Sequence, residues 1–159
     1  MKTFTIPVHI DEFDVDELPA SVQELRKAAE AARERAYAPY SGFKVGAALR
    51  LDNGIIVTGS NQENAAYPSG MCAERVAIWY AGAQYPKRQI LQMYITARSS
   101  HTEVDHPVPP CGACRQSMLE YEVKQKHPIE IWFRGETGKV WRTRSVENIL
   151  PLVFDGSDL

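Results

Sequence analysis

The 159-residue chain carries only three cysteines, an odd number that favours free thiols over a disulfide framework. No apolar run approaches the roughly 20 residues that cross a bilayer. The amino terminus, broken by Pro7 and Asp11, is too short an apolar stretch for a secretory leader. The expectation is therefore a soluble, cytoplasmic protein with reduced thiols and no membrane partner. Basic excess is missing as well. Eighteen Lys+Arg against twenty Asp+Glu leave a formal charge of −2, which argues against a nucleic acid polymer as partner and favours a small or neutral one. There is no internal repeat and no low-complexity tract.

What is present is enough for one domain. An apolar fraction of 44% lets a chain of this size bury roughly 70% of the surface its unfolded form exposes. Residues 1–19 crowd Asp11, Glu12, Asp14, Asp16 and Glu17 before Pro19 and read as an appended arm, most simply a solvated charge run. The folded domain is expected over 20–159. Ser21 to Glu24 has capping-box spacing, and Val22, Leu25, Ala29, Ala32 and Ala36 recur at helical intervals, predicting a first helix through Tyr37. Two β-rich segments, 45–51 and 55–60, joined by Asp52-Asn53-Gly54, predict a hairpin. A second helix is expected from near Cys72, a buried strand over 90–97 and a third helix from near Cys111. Strands follow near 128–133 and 139–143, and a short helical stretch from Ser145. This α-β-β-α-β-α-β-β-α order predicts an α/β fold with helices on the faces of one sheet.

All three cysteines fall in two motifs, Cys72-Ala73-Glu74 and Pro110-Cys111-Gly112-Ala113-Cys114. A Cys-x-x-Cys that opens a helix turns both thiols toward one point, and a thiol at another helix start supplies a third corner of a tetrahedron. That donor set suits Zn²⁺, and three protein ligands leave one corner open, as in catalytic sites. Three thiolates around Zn²⁺ sum to −1. Two helix N-termini and the guanidinium of Arg75 would offset that charge and keep the metal Lewis acidic. Glu74, two positions beyond a ligand, is placed to exchange a proton with metal-bound water. Three bland readings compete. The cysteines could be plain core residues, Glu74 a helix-start acid, or the metal site closed and structural, with His101 or His106 as fourth ligand.

These motifs, with Tyr40-Ser41-Gly42-Phe43-Lys44-Val45-Gly46-Ala47-Ala48-Leu49, Asn61-Gln62-Glu63-Asn64-Ala65-Ala66-Tyr67-Pro68 and the tail Ile149 to Phe154, resemble the small homotetrameric zinc-dependent cytidine deaminases. The similarity runs from about residue 20 to the last residue. It implies a three-layer α/β/α fold with a mixed five-stranded sheet and one Zn²⁺ per subunit, held by Cys72, Cys111 and Cys114. By the same resemblance Glu74 is the proton shuttle and Arg75 steadies the thiolates. Asn61 and Glu63 hold the ribose hydroxyls, and Phe43 packs on the pyrimidine. The N–H of Ala73 meets the ring's exocyclic oxygen, and the carbonyl of Pro109, where the family often has Ser, meets its amine. Phe154 matches a tail aromatic that reaches a neighbouring subunit's site. Without the resemblance Phe43 would read as core, Asn61 and Asn64 as turn residues, and Tyr40 as either core or pocket wall.

The implied reaction is hydrolytic deamination of cytidine and 2'-deoxycytidine, within pyrimidine salvage, to uridine and 2'-deoxyuridine with release of ammonia. The alternatives are a deaminase of another cytosine nucleoside such as blasticidin S, an editor of cytosine in a polynucleotide, which the charge disfavours, and a zinc-stabilised binding module without catalysis. The arm and the loop 99–108 have no counterpart in the resemblance.

Overall fold

A computed structural model describes residues 1–159. Val22, Leu25, Ala29 and Ala32 all lie on the buried side of α1 (Ala20–Glu34), which is what their helical spacing predicts. The capping box does not form. The helix starts two residues earlier, with Pro19 rather than Ser21 at its N-cap and no side-chain cap bond. Glu24 is taken instead by Arg50, 2.8 Å away on the sheet, and the Gln23 amide donates to the Val15 carbonyl. The helix also stops short of Tyr37. That residue donates its N–H to the Asn61 carbonyl at 3.0 Å and accepts from the Glu63 N–H at 2.9 Å, so a non-helical pairing wins its backbone groups.

The remaining elements follow as β2 (Phe43–Leu51), β3 (Ile56–Ser60), α2 (Ala73–Gln84), β4 (Ile90–Ser99), α3 (Gly112–Gln125), β5 (Glu130–Arg134) and β6 (Val140–Thr143). The stretch after Ser145 is a single 3-10 turn, Glu147–Ile149. In the β2–β3 turn Gly54 has φ +85, a left-handed conformation that favours glycine.

The sheet has six strands rather than the expected five. The extra one, β1 (Asp11–Phe13), comes from the acidic arm and pairs antiparallel with β6. The order is β1-β6-β5-β4-β2-β3, with β4 and β5 parallel and the other pairs antiparallel. The sequence hid this strand because its cohesion is made of ion pairs rather than apolar alternation. Asp11 meets Arg142 at 2.6 Å, and the Arg142 guanidinium lies 5.1 Å from the ring centroids of both Phe13 and Trp132.

Strand alternation sorts the core into two layers. On one face Ala48, Tyr94 and Trp132 pack beneath α1; on the other Ala47, Leu49, Met93, Ile95, Ile131 and Phe133 pack beneath α2 and α3. The three-layer α/β/α arrangement is as expected. Two glycines set how close the helices come. A Cβ at Gly59 would lie 2.5 Å from the Ala73 carbonyl oxygen, and one at Gly46 would lie 2.1 Å from that of Ala29. The first contact holds the N-terminus of α2, where the metal motif sits, against β3.

Candidate metal centre

Cys72 and Cys111 are the N-cap residues of α2 and α3, and both have extended backbone there (φ −73, ψ 150 and φ −66, ψ 165). Neither side chain caps its helix, so both thiols are free to turn away from the N–H groups. Cys114, within the first turn of α3, is buried. The three Sγ atoms lie within 4.8 Å of one another, and those of Cys111 and Cys114 are 3.5 Å apart. Sulfurs at three corners of a zinc tetrahedron, each about 2.3 Å from the ion, would be separated by about 3.8 Å, so the trio fits the ion with small adjustments.

Charge chemistry points the same way. The Cys114 thiol and the Arg75 guanidinium, whose Nη2 is 3.5 Å from Cys72 Sγ, hold the Cys72 thiol down at about 5. Its hydrogen bond to Cys72, together with burial, pushes Cys114 up. A cluster that gives up one proton easily and clings to another is completed by a divalent cation, which stabilises all three thiolates together. Arg75 also stacks 5.7 Å from the Trp79 ring, and its Nε is buried without a partner. Neither His101 nor His106 belongs to the cluster. His106 faces Asp105 at 3.3 Å, so a closed site with a histidine finds no support.

Glu74 occupies the first turn of α2 and is only 4% exposed. Burial, reinforced by the Cys72 thiolate, raises its carboxyl above the usual carboxylate range. A carboxyl so placed holds a proton more readily and so suits proton exchange near neutral pH. Ala73 is buried beside it. As the first residue of α2 its N–H has no partner within the helix and is available to an acceptor.

A cleft of about 510 Å³ opens over Cys72 and Arg75, with Asn61 and Glu63 in its wall. That size lies within the usual range for small-molecule sites. The Glu63 carboxylate accepts from the Ser41 hydroxyl and from the amides of Tyr40 (2.9 Å) and Ser41 (3.3 Å), which lower its pKa and keep it an acceptor. Asn61 accepts from the Val45 N–H at 2.7 Å and donates to the Phe43 carbonyl at 2.9 Å. One amide hydrogen and one lone pair remain beyond those bonds.

Four expected substrate contacts are not in this wall, nor are Glu74, Cys111 and Cys114. Ala73 is buried at the start of α2. Phe43 is half-buried at the start of β2, Pro109 is exposed, and Phe154 stands exposed on the tail, its carbonyl bonded by Gln116 at 2.9 Å. Tyr40, undecided from sequence, does line the cleft, and its ring centroid lies 6.3 Å from that of Tyr67 in an edge-to-face arrangement. Residues that sequence reasoning left without a role include Ser41, which pins Glu63, and Arg115. The Arg115 guanidinium donates to the carbonyls of Pro110 (2.8 Å) and Ile149 (3.0 Å), tying the second cysteine motif to the tail. Their only signal in sequence was position: Ser41 lies in the Tyr40 to Leu49 motif, and Arg115 follows directly on Cys114.

A cytidine deaminase from Halalkalibacterium halodurans is 46% identical to this chain over 137 residues, 86% of this chain and 96% of that protein. Another, from Sporosarcina psychrophila, is 36% identical over 87% of this chain and 94% of its own length. Among solved structures, the cytidine deaminase from Burkholderia pseudomallei superposes with a TM-score of 0.71 at 41% identity, covering 83% of this chain and 98% of that one. That from Mycobacterium tuberculosis gives 0.65 at 32% identity, covering 89% and 99%. The family model for the cytidine and deoxycytidylate deaminase zinc-binding region matches residues 19–127, a span that holds all three cysteines and Glu74. With the cysteine cluster and the α/β/α fold around it, this chain belongs to the zinc-dependent cytidine deaminase family.

Proposed function

We propose that the protein hydrolyses free cytidine and 2'-deoxycytidine to uridine and 2'-deoxyuridine, with release of ammonia. The observation that carries this reading is a buried carboxyl, Glu74, in the turn that follows Cys72, the one member of the three-thiol cluster that lines a nucleoside-sized cleft. Cys72, Cys111 and Cys114 hold the zinc, which when bound supplies the Lewis acidity that makes water a nucleophile near neutral pH.

The remaining work belongs to the chain. Glu74 takes a proton from the attacking water and delivers it to N3 of the cytosine, and then moves the second proton to the amine leaving C4. Water and cytidine thereby become uridine and ammonia. Arg75 keeps the thiolates anionic. The Ala73 N–H meets the exocyclic oxygen, the Pro109 carbonyl meets the amine, Phe43 packs on the ring, and Asn61 and Glu63 bind the sugar hydroxyls. Glu63 suits that role because Ser41 and Tyr40 already fix it as an ionised acceptor with a lone pair to spare.

Phe154, exposed on its own subunit, reaches the site of a neighbour in a homotetramer. The setting is pyrimidine salvage in the cytoplasm, where reducing conditions preserve ligating thiols. No helix here is long and apolar enough to cross a membrane.

Ammonia release from a panel of cytosine nucleosides, nucleotides and oligonucleotides tests the reading. Turnover of cytidine and deoxycytidine is expected; reaction of oligonucleotides alone, or of none, overturns it. Glu74→Gln is expected to retain zinc and fold while turnover falls by roughly a hundredfold or more. Undiminished turnover would remove Glu74 from the chemistry.

A further inference from the structure

The arm lies almost entirely outside the family match, which begins at residue 19, and relatives that align over nearly their whole length leave part of this chain unmatched. Its inner half is fixed to the domain. Ile10 packs against the core, and the Asn148 side chain clamps the His9 backbone from both sides, accepting from its N–H at 3.0 Å and donating to its carbonyl at 2.7 Å. Its outer half is not covered by anything in the chain. Phe4, Ile6 and Val8, which alternate along the stretch before β1, are 75%, 51% and 51% exposed.

Ile6 and Pro7 share a shallow crevice with Asn148 and Pro151. They therefore lie beside the base of the tail, where Leu152 and Phe154 are 80% and 56% exposed. Arm and tail together present a strip of large apolar side chains of a kind that rarely stays in water.

We propose that this strip is an inter-subunit clamp: Phe4, Ile6 and Val8 bury against a second copy of this chain, extending the contact made by Phe154. The inference rests on the reading of Phe154 as a residue that crosses to a neighbour. If the tail crosses at Phe154, the arm, whose Ile6 and Pro7 share a crevice with Pro151, continues the surface from which the tail departs. The composition of the arm fits such a contact. Among residues 1–10 only Lys2 is a lysine, arginine, aspartate or glutamate, and the buried centre of a protein interface is depleted in charge. An acidic or basic partner would call for complementary charge that the segment does not carry.

The test uses the full-length, zinc-loaded protein and the triple variant Phe4→Ser, Ile6→Ser, Val8→Ser, whose changes are all at exposed positions. Sedimentation and light scattering over a concentration series give the subunit dissociation constant. It is expected to rise at least about a hundredfold in the variant, given the apolar surface three such side chains would bury, with zinc content and circular dichroism unchanged. An unaltered dissociation constant overturns the clamp, as does an unmodified protein that stays monomeric. Hydrogen exchange of the amides of residues 3–6 supplies an independent readout: slow when assembled and fast on dissociating dilution. Fast exchange under both conditions overturns the proposal and leaves the arm to some other partner. Cytidine turnover is measured separately, so an arm-dependent assembly without turnover would refute the proposed function and leave the clamp standing.

Discussion

Cys72 combines a place in the thiol cluster with a thiol that Cys114 and Arg75 hold well below its ordinary range. With a folded-state value of about 5 against an ordinary 9.0, the folded chain releases this proton sooner than the unfolded one. The stability it contributes is complete above pH 9, shrinks as the pH falls and is gone below about 5. Zinc-stripped protein is therefore expected to gain stability between these limits, and Cys72→Ser to flatten that slope. Urea midpoints at several pH values check this, and parallel slopes in the two proteins would contradict it. Arg75→Gln removes the donor that favours the thiolate, so zinc affinity or turnover should drop about 10- to 100-fold, measurable by competition with a chromophoric chelator. Glu122, by contrast, serves the fold. Buried in α3, it accepts from the N–H groups of Ile129 (2.7 Å), Val146 (2.8 Å) and Glu147 (3.0 Å). Glu122→Ala strands those donors and is expected to cost about 3 kcal/mol or more in chemical denaturation, with turnover of the folded fraction preserved. Sequence gave no hint of it, since its partners lie on other elements and are backbone amides.

At the scale of elements, the site is made by two helix starts meeting over one sheet. The N-terminus of α2 is seated by the absence of a side chain at Gly59, whose added Cβ would also lie 2.7 Å from the Ala77 nitrogen. Gly59→Val should therefore push α2 away from β3, losing about 1–3 kcal/mol of stability and weakening zinc binding, because Cys72 moves with the helix. Gly46→Val strikes α1 on the opposite face and should lower stability without a comparable change in zinc affinity. Melting temperature and zinc dissociation constant measured on both variants separate the two, and equal losses of zinc affinity would sink the argument. Helices α2 and α3 were legible because ordinary helix formers follow each cysteine. The capping box of α1 misled because Glu24 had a better partner, Arg50, on a strand distant in sequence.

For the molecule as a whole, zinc joins two elements that already share a core. Ala73, Ala77, Cys114 and Met118 pack in one apolar cluster with the inner face of the sheet. Chelation is thus expected to lower the melting temperature by roughly 10 °C, the scale of a tightly bound ligand lost from a domain of this size, while the far-ultraviolet circular dichroism persists. Collapse of the helical signal on chelation would make the metal a folding ligand rather than a clasp on a formed core.

The sequence by itself determined the three thiols that cluster, the carboxyl beside them and most of the helices and strands. These depend on residue type and on spacing along a few turns, both of which are local. Only the tertiary structure decided that a sixth strand comes from the acidic arm, that Ser41 and Arg115 brace the site, and that Phe154 stands apart from its own cleft. Those outcomes depend on which distant carbonyls, carboxylates and rings meet when helices dock on a sheet. A linear pattern cannot encode that meeting, because each such group has many partners of equal chemistry to choose from.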